Sequence, residues 1–260
     1  MTRRLTGLVL AMLLVLGVSG LAMADEAPAA APEISHSATA SVSYMSQYVW
    51  RGLVLSDGWV IQPSIDFNYG GFNANLWMNY DRNPDIQQTN ETDLTLKYTY
   101  SIKDLSLSAG YIYYGVVGAN TEEAFASASY ATILNPSITY YQDLRLGDGG
   151  GFAVLALSQT SPELWHGITV GGGASVGYDV NNELMGLKRD GKKYNGFYNG
   201  EVSTFVNIPV TKALSIRPSL AYDFPLTKDA AFIMKNSSFA NAGNKNNSVL
   251  WGGVTVALAF

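Results

Sequence analysis

Histidine and cysteine, the residue types most often used for nucleophilic catalysis and transition-metal binding, are nearly absent from this chain of 260 residues. There is no cysteine, and the two histidines are His36, in an unpatterned N-terminal spacer, and His166, between two patterned segments. Neither has a serine or an acidic partner at a spacing that would make it a general base. We therefore predict no enzymatic activity, no metal ion and no cofactor.

Polar and charged residues instead recur at every second position inside apolar segments. If the apolar face of such a strand meets lipid, the polar face meets the interior of a barrel, because a lysine or arginine on the lipid face costs about 2–4 kcal/mol at the bilayer midplane. We expect Lys97 and Arg217 to point inward, near carboxylates. The interior is then either a polar constriction that selects small hydrophilic solutes or a salt-bridged network that fills the lumen. The residues that alternation assigns to the pore lining are Gln62, Asp66, Asn73, Asn75, Asn79, Lys97, Asp143, Glu201, Arg217 and Asp223.

The elements that must position these residues are β-strands with one apolar face. Residues 59–69 and 72–80 both alternate with a period of two, and only Gly70 and Gly71 separate them, which predicts a tight antiparallel hairpin. Ten residues tilted by about 40° span about 25 Å, the height of the apolar band of an outer-membrane barrel. The pattern therefore predicts an all-β protein, a transmembrane antiparallel up-and-down barrel of about twelve strands, with ten or fourteen as alternatives. The predicted strands are 42–50, 59–69, 72–80, 94–102, 105–113, 124–132, 138–144, 152–160, 168–178, 198–208, 214–224 and 249–260.

The predicted connections alternate between short turns and longer loops, notably 81–90, 179–195 and 225–247. Such barrels have short turns on the periplasmic side and long loops on the outside. An even number of strands with both ends on the short-turn side predicts that both termini are periplasmic. This number of strands does not decide whether the lumen is open, since about eight strands are filled by side chains and 16–18 leave a channel.

The N-terminus has the pattern of an export signal. Arg3 and Arg4 precede an apolar stretch, and Ala22-Met23-Ala24 has the small residues of a cleavage site. We predict a cleavable signal peptide over residues 1–24, a periplasmic spacer over 25–38 and a barrel over 39–260, in the outer membrane of a Gram-negative bacterium. The formal net charge of −5 makes nucleic acid a poor partner.

The chain ends in a strand with apolar residues at every second position and a terminal aromatic residue. The ending formed by Val256, Leu258 and Phe260 resembles the C-terminal signal that the barrel-assembly machinery recognises in outer-membrane proteins. Pairing of this strand with the first strand would remove an exposed sheet edge.

The segment from Ser46 to Gly58 reads SQYVWRGLVLSDG and is followed by Gln62-Pro63 and Gly71-Phe72. It resembles the N-terminal signature of the TorF-type putative porins. The resemblance implies an outer-membrane barrel with a porin role and carries no substrate or catalytic residue. In this segment we expect Arg51 and Asp57 at the extracellular mouth, where Arg51 pairs with Asp57, meets anionic lipopolysaccharide or is solvated.

Three functions remain open on these residues. The first is a porin or narrow channel for passive passage of small hydrophilic solutes, with an acidic lumen that favours cations. The second is a non-conducting barrel whose long loops bind a surface partner or lipopolysaccharide. The third and least supported is an outer-membrane hydrolase, for which His166 and the lumen carboxylates are the only candidate groups. The lipid of the outer membrane is a partner in each case, and no oligomer interface is evident.

Overall fold

The structure is a computed structural model and describes residues 35–82, 88–237 and 247–260. The predicted signal peptide and the spacer up to residue 34 lie outside the described residues. Within these ranges, no helix is long and apolar enough to cross a membrane.

Fourteen β-strands and one α-helix make up the described chain, together with two single-turn 3-10 helices at Trp165–Gly167 and Glu183–Met185. The helix, α1, spans Lys228–Asn236. The strands are β1 (His36–Met45), β2 (Tyr48–Trp50), β3 (Leu53–Ser56), β4 (Val60–Tyr69), β5 (Phe72–Asp81), β6 (Gln88–Ile102), β7 (Leu105–Val116), β8 (Thr121–Tyr130), β9 (Ser137–Asp143), β10 (Gly151–Thr160), β11 (Thr169–Val180), β12 (Asn195–Pro209), β13 (Leu214–Pro225) and β14 (Val249–Ala259).

Twelve of these strands form a closed antiparallel barrel, and β2 and β3 form a separate two-stranded sheet. Each barrel strand pairs with its neighbour in the chain, and β1 closes the barrel by pairing with β14, with Thr39 opposite Ala259. All backbone groups of the wall can then bond within the protein, as a spanning structure requires. The predicted fold, a twelve-stranded antiparallel up-and-down barrel, is confirmed.

The connections differ in length at the two ends of the barrel. At one end, called the turn end here, strands are joined by segments such as Gly70-Gly71 and Lys103-Asp104, and both β1 and β14 have their terminal residues there. At the other end, the loop end, lie the connections 46–59, 117–120, 144–150 and 181–194, together with the described parts of two further connections, residue 82 and residues 226–237 and 247–248.

The first strand differs from its prediction. Strand β1 begins at His36, inside the predicted spacer, and ends at Met45, whereas we predicted a strand over 42–50. The chain then leaves the wall, and Tyr48 to Trp50 belong to the hairpin of β2 and β3. Alternation could not detect this departure, because an apolar residue that packs inside the lumen and one that meets lipid produce the same pattern.

The two faces of the wall are chemically distinct. Large apolar side chains stand exposed on the outer face, for example Ile65 at 56%, Leu96 at 47% and Leu220 at 48%. Their sequence neighbours point inward and are mostly polar. This arrangement matches a barrel whose outer face meets hydrocarbon.

Candidate functional site

The interior of the barrel has two zones along its axis. In the turn-end half, small hydroxylated side chains pair across neighbouring strands, such as Ser101 with Ser106 and Thr99 with Ser108, both at 2.9 Å. These residues are partly exposed to solvent. The turn-end half is therefore a polar vestibule.

The loop-end half is filled. The hairpin of β2 and β3 folds into the lumen, and we call residues 48–56 the plug hairpin. Its rings contact inward-facing rings of the wall, with Tyr48 5.4 Å from Trp77 of β5 and Trp50 6.1 Å from Tyr114 of β7 between ring centroids. Its Leu53 is fully buried against Phe152 of β10 and other residues of the main hydrophobic cluster. The hairpin thus reaches inward-facing residues on several sides of the barrel.

The plug hairpin has a tight two-residue turn at Arg51 and Gly52. Arg51 and Gly52 both have positive φ, 49° and 77°, which is the requirement of the two-residue turn that suits a right-twisted hairpin. A Cβ on Gly52 would lie 2.6 Å from Cε of Met234 in α1 and 3.2 Å from Cβ of Asn199 in β12. Glycine at this position therefore allows both the backbone conformation and the close approach of the turn to α1 and the wall.

Arg51 at the tip of this hairpin is anchored in the wall. Its two terminal nitrogens each donate to one carboxylate oxygen of Glu123 in β8 at 2.7 Å, and the side chains are 9% and 0% exposed. Tyr114 also donates to this carboxylate, at 2.9 Å. The guanidinium stacks 4.6 Å from the ring centroid of Tyr141 and 4.7 Å from that of Phe152.

The charge of Arg51 is secured by this environment. Burial by itself lowers the pKa of the guanidinium, but the adjacent carboxylate of Glu123 has the opposite effect and leaves the pKa above its ordinary value. A bidentate arginine–carboxylate pair is geometrically specific as well as strong. We call Arg51 and Glu123 the latch.

The long loops close the lumen above the plug hairpin. Helix α1 is capped by Thr227, whose side chain accepts from the backbone of Ala230, and it buries Ile233 and Met234 against the hairpin. Met185, in the 3-10 helix of the preceding loop, is also fully buried in this cluster. The loops that we predicted as binders of a surface partner are thus partly committed to internal packing.

The basic residues of those loops form local ion pairs. Lys188 and Lys192 lie 3.9 and 3.7 Å from the carboxylate of Asp190, and Lys193 contacts Asp148 and Glu183. Arg189 stacks over Phe232 of α1. These contacts join the loop 181–194 to its neighbours at the loop end.

Acidic side chains dominate the filled half of the lumen. In the part of the chain that the structure describes, seven acidic side chains are buried. The basic side chain that lies among them is that of Arg51. An acid that is buried without a compensating cation is costly to ionise, so entry of a cation among these groups is favoured. The buried carboxylates are Asp81, Glu91, Asp93, Glu123, Asp143, Asp179 and Asp223.

The ten residues assigned to the pore lining all lie on the inward face of wall strands, where strand pairing groups several of them. Asn73 donates to Asp66 at 3.4 Å in the vestibule, and Gln62 donates to Asn79 at 3.1 Å below the plug hairpin. Asn75 donates to Ser64 of β4 at 2.8 Å.

The remaining charged members of this set lie apart from one another or in acidic pairs. Glu201 and Asp223 face each other on β12 and β13, and Asp143 accepts from backbone amides of its own loop. Arg217 is exposed toward the vestibule and stacks 3.6 Å from the ring centroid of Phe205, and Lys97 lies opposite Asn73 and Gly110. Both cations point inward as expected, and neither has a carboxylate within 4.0 Å among the described residues.

Of the two residues assigned to the extracellular mouth, Arg51 needs a correction, whereas Asp57 is exposed in the connection 46–59 at the loop end. Arg51 pairs with Glu123 inside the lumen and not with Asp57. The reason is that the segment 46–59 folds inward, so the arginine reaches a carboxylate 72 positions further along the chain.

The other sequence-predicted positions lie at the turn end. Val256 and Leu258 are on the outer face of β14, and Phe260 is 75% exposed beyond its end. His166 is exposed in the turn after β10, and its ring contacts Trp165. Within the described ranges, no group of three or more histidine or acidic residues is arranged to hold a metal ion.

Sequence reasoning missed Glu123, Tyr114 and Phe152, the wall residues that receive the plug hairpin. Period-two alternation places Glu123 on the inward face of β8, and that signal was available. The identity of its partner was not, because it depends on the path of a loop.

No protein-family profile and no curated protein matches the chain. Among solved structures, the NanC porin superposes with a TM-score of 0.50 at 12% identity, covering 86% of this chain and 98% of that chain. An outer-membrane channel from Pseudomonas putida F1 superposes with a TM-score of 0.52 at 10% identity, covering 92% of this chain and all of that chain (100%). The fold is a porin-type barrel.

Proposed function

We propose that the protein is an outer-membrane channel for small hydrophilic solutes, with a preference for cations, and that the plug hairpin controls its opening. The observation that carries this proposal is the position of the plug hairpin, which fills the acidic half of a barrel whose other half is a polar vestibule. The porin-type fold supports it at the level of architecture. We further propose that the protein is related to the TorF-type porins. In this proposal it is exported through a signal peptide, and both of its termini are periplasmic.

The preference for cations follows from the charges around the lumen. The filled half contains seven buried carboxylates, and the latch neutralises Glu123 alone among them with an arginine. A cleft of one sign raises the local concentration of ions of the opposite sign. A cation that enters past a displaced plug hairpin therefore encounters a favourable potential.

The experiment is single-channel recording of the refolded mature protein in a planar bilayer, after heat-dependent gel mobility has shown a folded barrel. We expect rare openings in the wild type and frequent openings in Arg51→Ala, because this change releases the latch. Silence of both the wild type and a variant without the plug hairpin would contradict the channel proposal.

Selectivity is a separate prediction, measured as the reversal potential in a salt gradient. We expect a cation preference that weakens in the Glu201→Gln/Asp223→Asn variant, since these carboxylates face the lumen beside the plug hairpin. Glu122→Gln is the matched control, because Glu122 lies on the outer face of β8 next to Glu123. An unchanged reversal potential in the double variant would refute the assigned origin of the preference.

One observation favours a second function, the non-conducting barrel. The cluster that includes Leu53, Met185, Tyr198 and Ile233 is buried as fully as a protein core, since each of these side chains is at most 1% exposed. In that case the loop end is a rigid surface, and no variant of the latch conducts. We further propose that the protein is not an enzyme, since His166 is exposed at the turn end, while the buried carboxylates lie toward the loop end.

A further inference from the structure

A cavity lies beside the plug hairpin at the loop end of the barrel, with a volume of about 310 Å³. Its walls are the rings of Tyr48 and Trp50 from the hairpin and of Tyr114 from β7, with Glu91 of β6 among them. Val117, which is 64% exposed, also lines the cavity, so the cavity reaches the surface. Its size is at the lower end of the range for small-molecule sites.

The residues that line the cavity favour a positively charged ligand. Three aromatic rings and several aliphatic side chains surround one ionisable carboxyl, that of Glu91, which is 6% exposed and hydrogen-bonded to Tyr48. Lysine and arginine are not among the lining residues. Aromatic faces attract cations, most strongly where water is excluded, and a nearby carboxylate adds to this attraction.

The residues around the cavity are also acidic. Asp93 lies two residues further along the inward face of β6, is 8% exposed and has an Oδ1 atom without a hydrogen-bond partner among the described residues. The nearby cation, Arg51, stacks over the ring of Trp50 at 4.4 Å from its centroid, and both of its terminal nitrogens are bound to Glu123. An anionic ligand would therefore meet repulsion, and a neutral apolar ligand would offer no opposite charge to Glu91.

A bare metal ion fits this cavity poorly. Calcium requires six to eight oxygen ligands, whereas most of this lining is carbon. An organic cation has both a charge for Glu91 and an apolar body for the rings.

We infer that this cavity binds a small organic cation, an amine or quaternary ammonium compound with a short aromatic or aliphatic body. The inference rests on the proposed function, because it names the class of solute that the channel receives at its loop end. Binding there places the solute in contact with Tyr48 and Trp50, so that occupancy and the position of the plug hairpin are coupled.

The test is isothermal titration calorimetry of the detergent-solubilised protein with benzylamine and with benzyl alcohol, which differ in one charged group, each corrected for empty micelles. We expect the wild type to bind benzylamine at least tenfold more tightly than benzyl alcohol. Glu91→Gln is expected to lose at least tenfold in affinity for benzylamine and little for benzyl alcohol. Glu122→Gln, the same change of charge on the outer face, is expected to bind as the wild type does.

A second variant keeps the test decisive if Glu91→Gln disturbs the barrel. Ala119→Trp places bulk at the cavity from the loop between β7 and β8 and leaves every charge in place. We expect it to abolish benzylamine binding, and equal affinity for both probes or wild-type binding by Ala119→Trp would overturn the inference. Binding does not require conductance, so a silent barrel that binds benzylamine refutes the channel alone, and a conducting barrel that ignores benzylamine refutes the cavity site alone.

Discussion

At the scale of single residues, the latch between Arg51 and Glu123 decides how the loop end is organised. The pair is bidentate and buried, and the hydroxyl of Tyr114 donates a further hydrogen bond to one carboxylate oxygen of Glu123. A buried ion pair contributes little net stability compared with apolar packing, but loss of one partner leaves a buried charge without compensation. The latch therefore specifies one position of the plug hairpin, and movement of the hairpin away from that position has a high free-energy cost.

We predict that Arg51→Ala destabilises the closed position of the plug hairpin by about 3–5 kcal/mol, the usual cost of removing one partner of a buried pair. The measurement is hydrogen exchange of the amides of residues 48–56, whose protection should fall by a factor of about ten for every 1.4 kcal/mol. Arg51→Met combined with Glu123→Gln should recover most of the protection, since it removes both charges.

Arg82→Ala is the matched control for this prediction. Arg82 is exposed at the same end of the barrel and stacks over Trp59 at 5.1 Å, without a place in the latch. Equal loss of protection in Arg51→Ala and Arg82→Ala would show that the latch has no special role.

At the scale of elements, the backbone pairing of the wall does not depend on the plug hairpin. Strands β2 and β3 pair with each other and contribute no bond to the barrel ladder, and Met45 and Val60, which flank the loop, already lie opposite each other in β1 and β4. A short turn can therefore replace the whole loop without change to the barrel.

We predict that replacement of residues 46–59 by a four-residue turn leaves the barrel folded and raises its conductance several-fold, because it opens the acidic half of the lumen. Gel mobility and bilayer recording measure the two effects. Removal of residues 188–192, a surface turn of another loop, is the control and should leave conductance near the wild-type level. Wild-type conductance in the first variant would mean that the hairpin does not limit passage.

At the scale of the whole molecule, the barrel depends on the separation of its two faces. Leu96 is exposed on the outer face of β6, and its neighbour Lys97 points into the vestibule. Reversal of the two residues keeps composition and charge and moves the lysine into lipid.

We predict that the Leu96→Lys/Lys97→Leu variant is destabilised by up to about 2–4 kcal/mol, the cost of a lysine on the lipid face. Urea unfolding in lipid vesicles, followed by tryptophan fluorescence, measures the difference. Lys97→Leu alone should cost much less, because an apolar residue in the vestibule leaves no charge in lipid. Similar stability of the two variants would contradict the assignment of faces.

The sequence by itself determined the architecture. Alternation with a period of two located twelve strands, the Gly70-Gly71 hairpin and the inward position of residues such as Asn79, Glu201 and Asp223, because the side of a strand that a residue occupies depends only on its parity. The pairing of the last strand with the first was also predicted, since an uncovered apolar edge would be unstable.

The tertiary structure alone decided what fills the barrel. The pattern of Tyr48 and Trp50 is the same for a strand that faces lipid and for a hairpin that packs inside the lumen, so the first strand was predicted five residues too long at its C-terminal end. The partner of Arg51 lies 72 positions away, on a strand that comes near only when the barrel closes. Parity is a local property of the chain, whereas the contents of a lumen depend on which strands meet around it.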